Sequence, residues 1–187
     1  MKAEKARISR LSRKTKETEI SVVLNIDGTG KSSVKVPDEF LRHMLETVSK
    51  YACFDLTMSA KGDINHHLVE DVAITLGKSL REAIGGAPIC RVAHAVVPMD
   101  EALVSVAVDL IDRPYVNVEV PDMMYEHFFR SFAMEARATL HSQIVRGQDQ
   151  HHVIEATFKA LGLSLKEATR RSGGVMSTKS GVEWKRK

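Results

Sequence analysis

Thiols are scarce in this chain of 187 residues, which has two cysteines, Cys53 and Cys90, both in apolar surroundings. That leaves no basis for a disulfide framework and favours a reducing compartment, the cytoplasm. Aromatic residues make up only 5% and do not alternate with basic ones, which argues against a stacking platform for nucleic acid. No run approaches the roughly 18 apolar residues of a membrane span. The opening MKAEKARISRLSRK is charged throughout and lacks the apolar stretch of a signal peptide. Walker A, dinucleotide-fingerprint, CxxC and GxSxG patterns are all missing, which sets those chemistries aside.

What is present is a modest net charge of +3 and eight histidines. Basic residues crowd the two ends: Lys2, Lys5, Arg7, Arg10, Arg13, Lys14 and Lys16 at the front, Lys185, Arg186 and Lys187 at the back. They read as solvated arms or as contacts for a phosphorylated ligand. Four histidines form two His-His pairs, His66-His67 and His151-His152.

Along the chain, 19–26 and 31–36 read as two strands of a hairpin around Asp27-Gly28-Thr29-Gly30. Pro37-Asp38 opens a helix carrying Phe40, Leu41, Met44, Leu45 and Val48 at helical spacing. A strand at 53–60, the break Lys61-Gly62-Asp63 and a helix over 65–84 follow, ended by Gly85-Gly86. The second half repeats this order with strands at 89–97, 102–110 and 115–120, a helix over 123–140, a strand at 141–146 and a helix over 151–169. We divide the chain into half-repeats 1–88 and 89–170 and a tail, 171–187, rich in Gly, Ser and Lys. The fold class expected is α+β, with each half a β-sheet packed on two helices.

Histidine spacing supports an internal duplication. His43 precedes His66, His67 and Glu70 by 23, 24 and 27 residues, and His127 precedes His151, His152 and Glu155 by 24, 25 and 28. On a helix, residues four apart share a face while neighbours diverge by about 100°. His66 and Glu70 can therefore chelate together while His67 aims elsewhere, and the same holds for His151, Glu155 and His152. Six histidines and two glutamates amount to four ligands for each of two metals. A nitrogen and carboxylate set without thiolate suits Mn, Fe, Co, Ni or Zn, and a site that must also take substrate favours six-coordinate Mn²⁺ or Fe²⁺. A lone helical histidine is ordinarily a surface residue; a doubled H-H-x-x-E has no such bland explanation. His94 and His141 have no counterparts and read as structural or as orienting a ligand. Arg91 and Arg113, at a strand start and after a strand, can clamp a phosphate, as can Lys159 and the donors of Ser177-Thr178-Lys179.

These residues together resemble the imidazoleglycerol-phosphate dehydratase family of histidine biosynthesis. The carriers are Arg13-Lys-Thr15-Lys-Glu17-Thr18, Asp27-Gly-Thr-Gly30, Phe40-Leu-Arg-His43-Met-Leu45, Asp63-Ile-Asn-His66-His67-Leu-Val-Glu70-Asp71, Pro98-Met-Asp-Glu101, Asp109-Leu-Ile-Asp-Arg113-Pro114, Glu126-His127-Phe128, Gly147-Gln-Asp-Gln-His151-His152-Val-Ile-Glu155, Phe158-Lys159-Ala160 and Ser177-Thr-Lys179. The resemblance implies a hydro-lyase that removes water from imidazole glycerol phosphate to give imidazole acetol phosphate. It implies two Mn²⁺ per active site and a duplicated fold like ribosomal protein S5 domain 2. It also implies a homo-oligomeric 24-subunit shell with sites between subunits, and neither nucleic acid nor membrane as partner. One metal would take His43, His67, His151 and Glu155, and the other His66, Glu70, His127 and His152. Glu17 matches the family's acid/base glutamate, and Arg91, Arg113, Lys159, Ser177, Thr178 and Lys179 match its substrate contacts. Three positions depart from the family pattern: Arg42 replaces the usual Asp before the first histidine, Asp112 the Gly before Arg-Pro, and Asp149 the Asn before the second His pair.

Overall fold

The computed structural model describes residues 6–174 and 176; Ser177, Thr178 and Lys179 lie outside the described residues. The elements run β1 (Ile8–Lys14), β2 (Thr18–Asn25), β3 (Ser32–Lys35), α1 (Glu39–Ala52), β4 (Asp55–Gly62) and α2 (Asn65–Ile84). A second set follows as β5 (Val92–Met99), β6 (Ala102–Asp109), β7 (Tyr115–Asn117), α3 (Met123–Ala136), β8 (Thr139–Arg146) and α4 (Gln150–Ala168). Two four-stranded sheets result, β1-β2-β4-β3 and β5-β6-β8-β7, with the same order in each half. The expected internally duplicated α+β architecture is what the chain adopts.

Two expectations are corrected. β2 and β3 do not form a hairpin: β2 pairs antiparallel with β1 and β4, and β3 lies parallel to β4 at the sheet edge. A parallel pair needs a crossover, which α1 supplies. The basic front segment is not a free arm from residue 8 onward. It is β1, whose Ser9, Leu11 and Arg13 alternate inward against exposed Arg10, Ser12 and Lys14. Basic residues on the solvent face of an edge strand are ordinary and protect it from unwanted pairing.

Helix boundaries follow local chemistry. Asp38, Asp122 and Asp149 cap α1, α3 and α4 by accepting backbone N–H bonds from the first turn. Asp149 thus caps as an asparagine would, which makes that departure conservative. α1 and α3 both end on a left-handed residue, Cys53 and Arg137, each at φ 57°. Asp112 adopts φ 63°, the region that favours the family's glycine, and its carboxylate takes Arg137 at 3.0 Å and Arg81 at 3.1 Å.

The helices pair across the halves: α1 packs on α4, and α2 on α3. Glycine permits both approaches. A Cβ on Gly77 of α2 would clash with the backbone carbonyl of Phe132 in α3, and one on Gly162 of α4 would lie 2.7 Å from Tyr51 Cβ and 3.0 Å from the Val48 carbonyl in α1. Between the pairs, Phe128, Phe129, Phe132 and Phe158 form the aromatic centre of one continuous core, with Phe129 and Phe158 4.8 Å apart. Neither α1 nor α4 can yield at such a crossing without moving backbone. Gly162→Ala is therefore expected to destabilise the fold by about 1–3 kcal/mol, read as a lower denaturant midpoint with unchanged m-value.

Candidate metal and substrate site

All four helices bring their N-termini to one end of the molecule. Asn65 of α2 donates to Asp38 Oδ2 at the start of α1 (2.6 Å) and lies 3.7 Å from Met124 Sδ of α3. Phe40 of α1 packs on Tyr125 of α3 and on His151 of α4, with ring centroids 5.2 and 5.1 Å apart. Every histidine of the duplicated pattern sits in a first or second helical turn at this end. Converging helix N-termini favour carboxylates and disfavour imidazolium, and the surroundings are rich in carboxylates.

The i,i+4 pairs His66–Glu70 and His151–Glu155 each lie on one helix face, and each is joined by the histidine of the other half. Glu155 Oε2 lies 3.2 Å from both His151 Nε2 and His43 Nε2. His66 Nε2 lies 4.0 Å from Glu70 Oε2, and the His66 and His127 rings are 5.3 Å apart. His67 and His152 turn away from both clusters, as their helical phase requires. Among the described residues no three such donors close on a common point as they would around an ion. The donor chemistry nevertheless fits a divalent transition metal: imidazole and carboxylate are adjacent in both clusters. Both cysteines lie elsewhere, Cys53 at the far end of α1 and Cys90 beside β5.

The two glutamates differ in setting. Glu155 is buried, at 7% exposure, and Lys159 Nζ donates to its Oε1 at 2.9 Å. Burial works to raise its pKa, but the hydrogen bonds from Lys159 and His43 outweigh it, so the carboxyl titrates below its ordinary value. Glu70 is half-exposed. Lys159 is thus tied to the Glu155 carboxylate and rests over the Tyr51 ring.

The diverging imidazoles have carboxylates of their own. His67 Nδ1 donates to Asp63 Oδ1 at 2.9 Å, and His152 Nδ1 donates to Glu101 Oε2 at 2.7 Å. Each pairing raises the imidazole pKa, through Asp63 for His67 and Glu101 for His152. Glu101 is held down to about 2, first by the Asp149 N–H and then by His152. No spacing pattern marks Glu101 or Asp100; the geometry of the β5–β6 turn places them beside His152.

Glu17 stands in the β1–β2 turn, exposed, its Oε2 3.8 Å from His67 Nδ1. Its backbone carbonyl accepts from Asp63 N–H at 3.0 Å, and Thr15 Oγ1 accepts from the Glu17 and Thr18 N–H groups. Beneath it, buried Asp71 takes Arg13 Nη2 at 2.7 Å and the Thr18 hydroxyl at 2.5 Å. This network pins the turn onto α2.

The remaining candidates lie elsewhere on the chain. Arg91 pairs with Asp109 at 2.8 Å and donates to the Met176 carbonyl. β5 is eight residues long, so at about 3.3 Å per residue Arg91 stands about 25 Å from the turn at Asp100. Arg113 follows β6 at that same distant end. His94 and His141 face outward on the second sheet, both opposite Ala107, and His141 lies against Tyr115. They orient no histidine of the clusters.

Fold and donor set define an internally duplicated α+β protein whose imidazoles and carboxylates gather where its helices begin. The family model for imidazoleglycerol-phosphate dehydratase matches residues 37–165. A relative from Methanothermobacter thermautotrophicus is 46% identical over 92% of this chain and 96% of its own, and one from Dehalococcoides mccartyi 43% identical over 95% and 98%. Both are named imidazoleglycerol-phosphate dehydratase. The crystal structure of IGPD from Pyrococcus furiosus in complex with (S)-C348 superposes with a TM-score of 0.83 at 39% identity, covering 90% of this chain and 98% of that one. The Staphylococcus aureus enzyme gives 0.81 at 31% identity, covering 88% and 99%. The chain belongs to the imidazoleglycerol-phosphate dehydratase family, whose members are hydro-lyases of histidine biosynthesis.

The second half fills the places of Arg13, Thr18 and Asp71 with Val97, Ala102 and Ala156, all buried. Asp71→Ala strands the buried Thr18 hydroxyl and the half-buried Arg13 guanidinium and is expected to cost about 1–3 kcal/mol. The triple substitution Arg13→Val, Thr18→Ala, Asp71→Ala leaves no unpaired charge and is expected to cost less than the single change. Urea unfolding of the two variants checks that order.

Proposed function

We propose that the chain removes water from imidazole glycerol phosphate to give imidazole acetol phosphate, using two Mn²⁺ held between subunits of a homo-oligomer. The observation that carries this reading is the split donor set. Each chain gathers three donors twice, His43 with His151 and Glu155, and His66 with Glu70 and His127, and turns His67 and His152 outward. A second copy that offered its outward imidazoles would bring both sets to four, giving His43, His67, His151, Glu155 and His66, Glu70, His127, His152. Arg91 and Arg113, far from their own chain's clusters, would likewise serve a neighbouring copy. A closed assembly such as a 24-subunit shell provides such contacts.

Metal bound by these donors would hold the substrate's imidazole and draw electron density into the ring. The chain's own groups would do the rest. The proton to be removed lies on a carbon not adjacent to a carbonyl and is weakly acidic. Glu17, its carboxylate accepting no hydrogen bond among the described residues, takes that proton from the chain carbon one removed from the ring. The hydroxyl on the ring-adjacent carbon departs and takes up a proton to leave as water. The resulting enol gains a proton at the ring-adjacent carbon, gives up its hydroxyl proton and becomes the ketone, so that the net loss is one water. Arg91, Arg113, Lys159 and the donors of Ser177, Thr178 and Lys179 would hold the phosphate.

Chelated protein is expected to yield keto product from imidazole glycerol phosphate only after Mn²⁺ is restored. Glu17→Gln should keep metal and substrate binding and lose turnover by about 10²–10⁴-fold. Release of inorganic phosphate without a keto product would instead place the site among dinuclear phosphohydrolases.

Shared ligands also make assembly depend on metal. Light scattering is expected to give a smaller particle after thorough chelation, with size recovered on adding Mn²⁺. An unchanged particle size would contradict sites shared between copies.

A further inference from the structure

The duplicated halves can be superposed residue by residue around the diverging histidines. Gly62 packs on Thr18 and Leu68, and Gly147 packs on Ala102 and Val153. Thr18 therefore corresponds to Ala102, Glu17 to Glu101, and Asp63 to Gln148. The two turn glutamates occupy one structural place, yet their carboxylates are used differently.

In the first half a local carboxylate holds the imidazole. Asp63, four residues before His67, accepts its Nδ1–H at 2.9 Å and the Ile64 N–H at 2.7 Å through the same oxygen. Glu17 stays 3.8 Å from that nitrogen. In the second half Gln148 fills the Asp63 place, and the neighbouring Asp149 carboxylate is used to cap α4 through the His151 N–H. There the turn glutamate takes over. Glu101 Oε1 accepts the N–H groups of Gln148 (3.2 Å) and Asp149 (2.9 Å), and Oε2 accepts His152 Nδ1–H at 2.7 Å. Asp100, largely exposed, approaches His152 Nε2 to 3.5 Å.

A carboxylate can only accept, so each pairing puts the ring proton on Nδ1 and leaves the Nε2 lone pair for coordination. We infer that Asp63 and Glu101 are positioning residues that fix the tautomer and direction of His67 and His152, and that this division of labour leaves the equivalent Glu17 free for proton transfer. The inference rests on the reading of His67 and His152 as metal ligands made above. A histidine that must reach a metal from another subunit gains most from such fixing, since no other donor of its own chain aligns it.

The test is Mn²⁺ titration of the full-length, previously chelated protein by calorimetry, with metal per chain counted after dialysis. Glu101→Gln keeps an oxygen for the two backbone N–H groups but offers His152 an amide, and is expected to weaken Mn²⁺ at one of two sites about 10–100-fold. Asp63→Asn should do the same at the other site, and Glu17→Gln should leave both affinities within about twofold, the small change expected where no ring nitrogen loses its partner. Adding Gln148→Asp to Glu101→Gln builds the first half's arrangement into the second and is expected to restore binding. Wild-type affinity in Glu101→Gln, with metal lost in His152→Ala, would overturn the positioning role alone. Weakening that Gln148→Asp does not relieve would also overturn it, reducing Glu101 to a loop anchor. Two metals per chain retained by His152→Ala would instead overturn the ligand reading.

Discussion

Two helix crossings, each closed by a glycine, govern the rest of this molecule. Gly77 lets α2 lie against the backbone of α3, and Gly162 lets α4 lie against that of α1. Both pairs join one half-repeat to the other. Neither half could bury the apolar faces of its two helices on its own sheet alone, so each lends helices to its twin, and one core of Phe128, Phe129, Phe132 and Phe158 fills the space between. The site follows from this exchange. His43 meets His151 and Glu155 because α1 packs on α4, and His66 meets His127 because α2 packs on α3.

Duplication supplied two copies of each part, and the chain has since made them unequal. Arg13, Thr18 and Asp71 form a buried polar network under Glu17, where the second half has Val97, Ala102 and Ala156. The cost of burying those charges is offset by hydrogen bonds, and what the first half gains is a turn held in one conformation. The second half uses the carboxylate of the same turn, Glu101, to hold an imidazole and the start of α4. One structural position thus leaves its carboxylate without a hydrogen bond among the described residues in one copy and engages it with an imidazole in the other.

The departures from the family pattern have local physical accounts. Asp149 caps α4 as asparagine would. Asp112 tolerates its left-handed backbone, and two arginines engage its carboxylate. Arg42 pairs with Glu39 one turn earlier on α1 and leaves His43 against Glu155.

The sequence alone determined what depends on local period and on repetition. The spans of α1, α2 and α4 were legible from apolar spacing and capping residues, and the side-by-side placement of His66 with Glu70 and of His151 with Glu155 from the four-residue helical repeat. The duplication was legible because H-H-x-x-E occurs twice at matching distance. Tertiary structure decided what depends on which surfaces meet. β1 was hidden by its basic residues, because a strand with one solvent face can carry them without loss. The β2–β3 hairpin failed because β4, arriving later through a helical crossover, offers β2 a longer partner than four-residue β3 can. That Glu101 reaches His152 while Glu17 falls short of His67 is likewise beyond sequence spacing. A turn's side chain finds its partner only after two strands and a helix have packed, and differences of about 1 Å then decide whether a hydrogen bond exists.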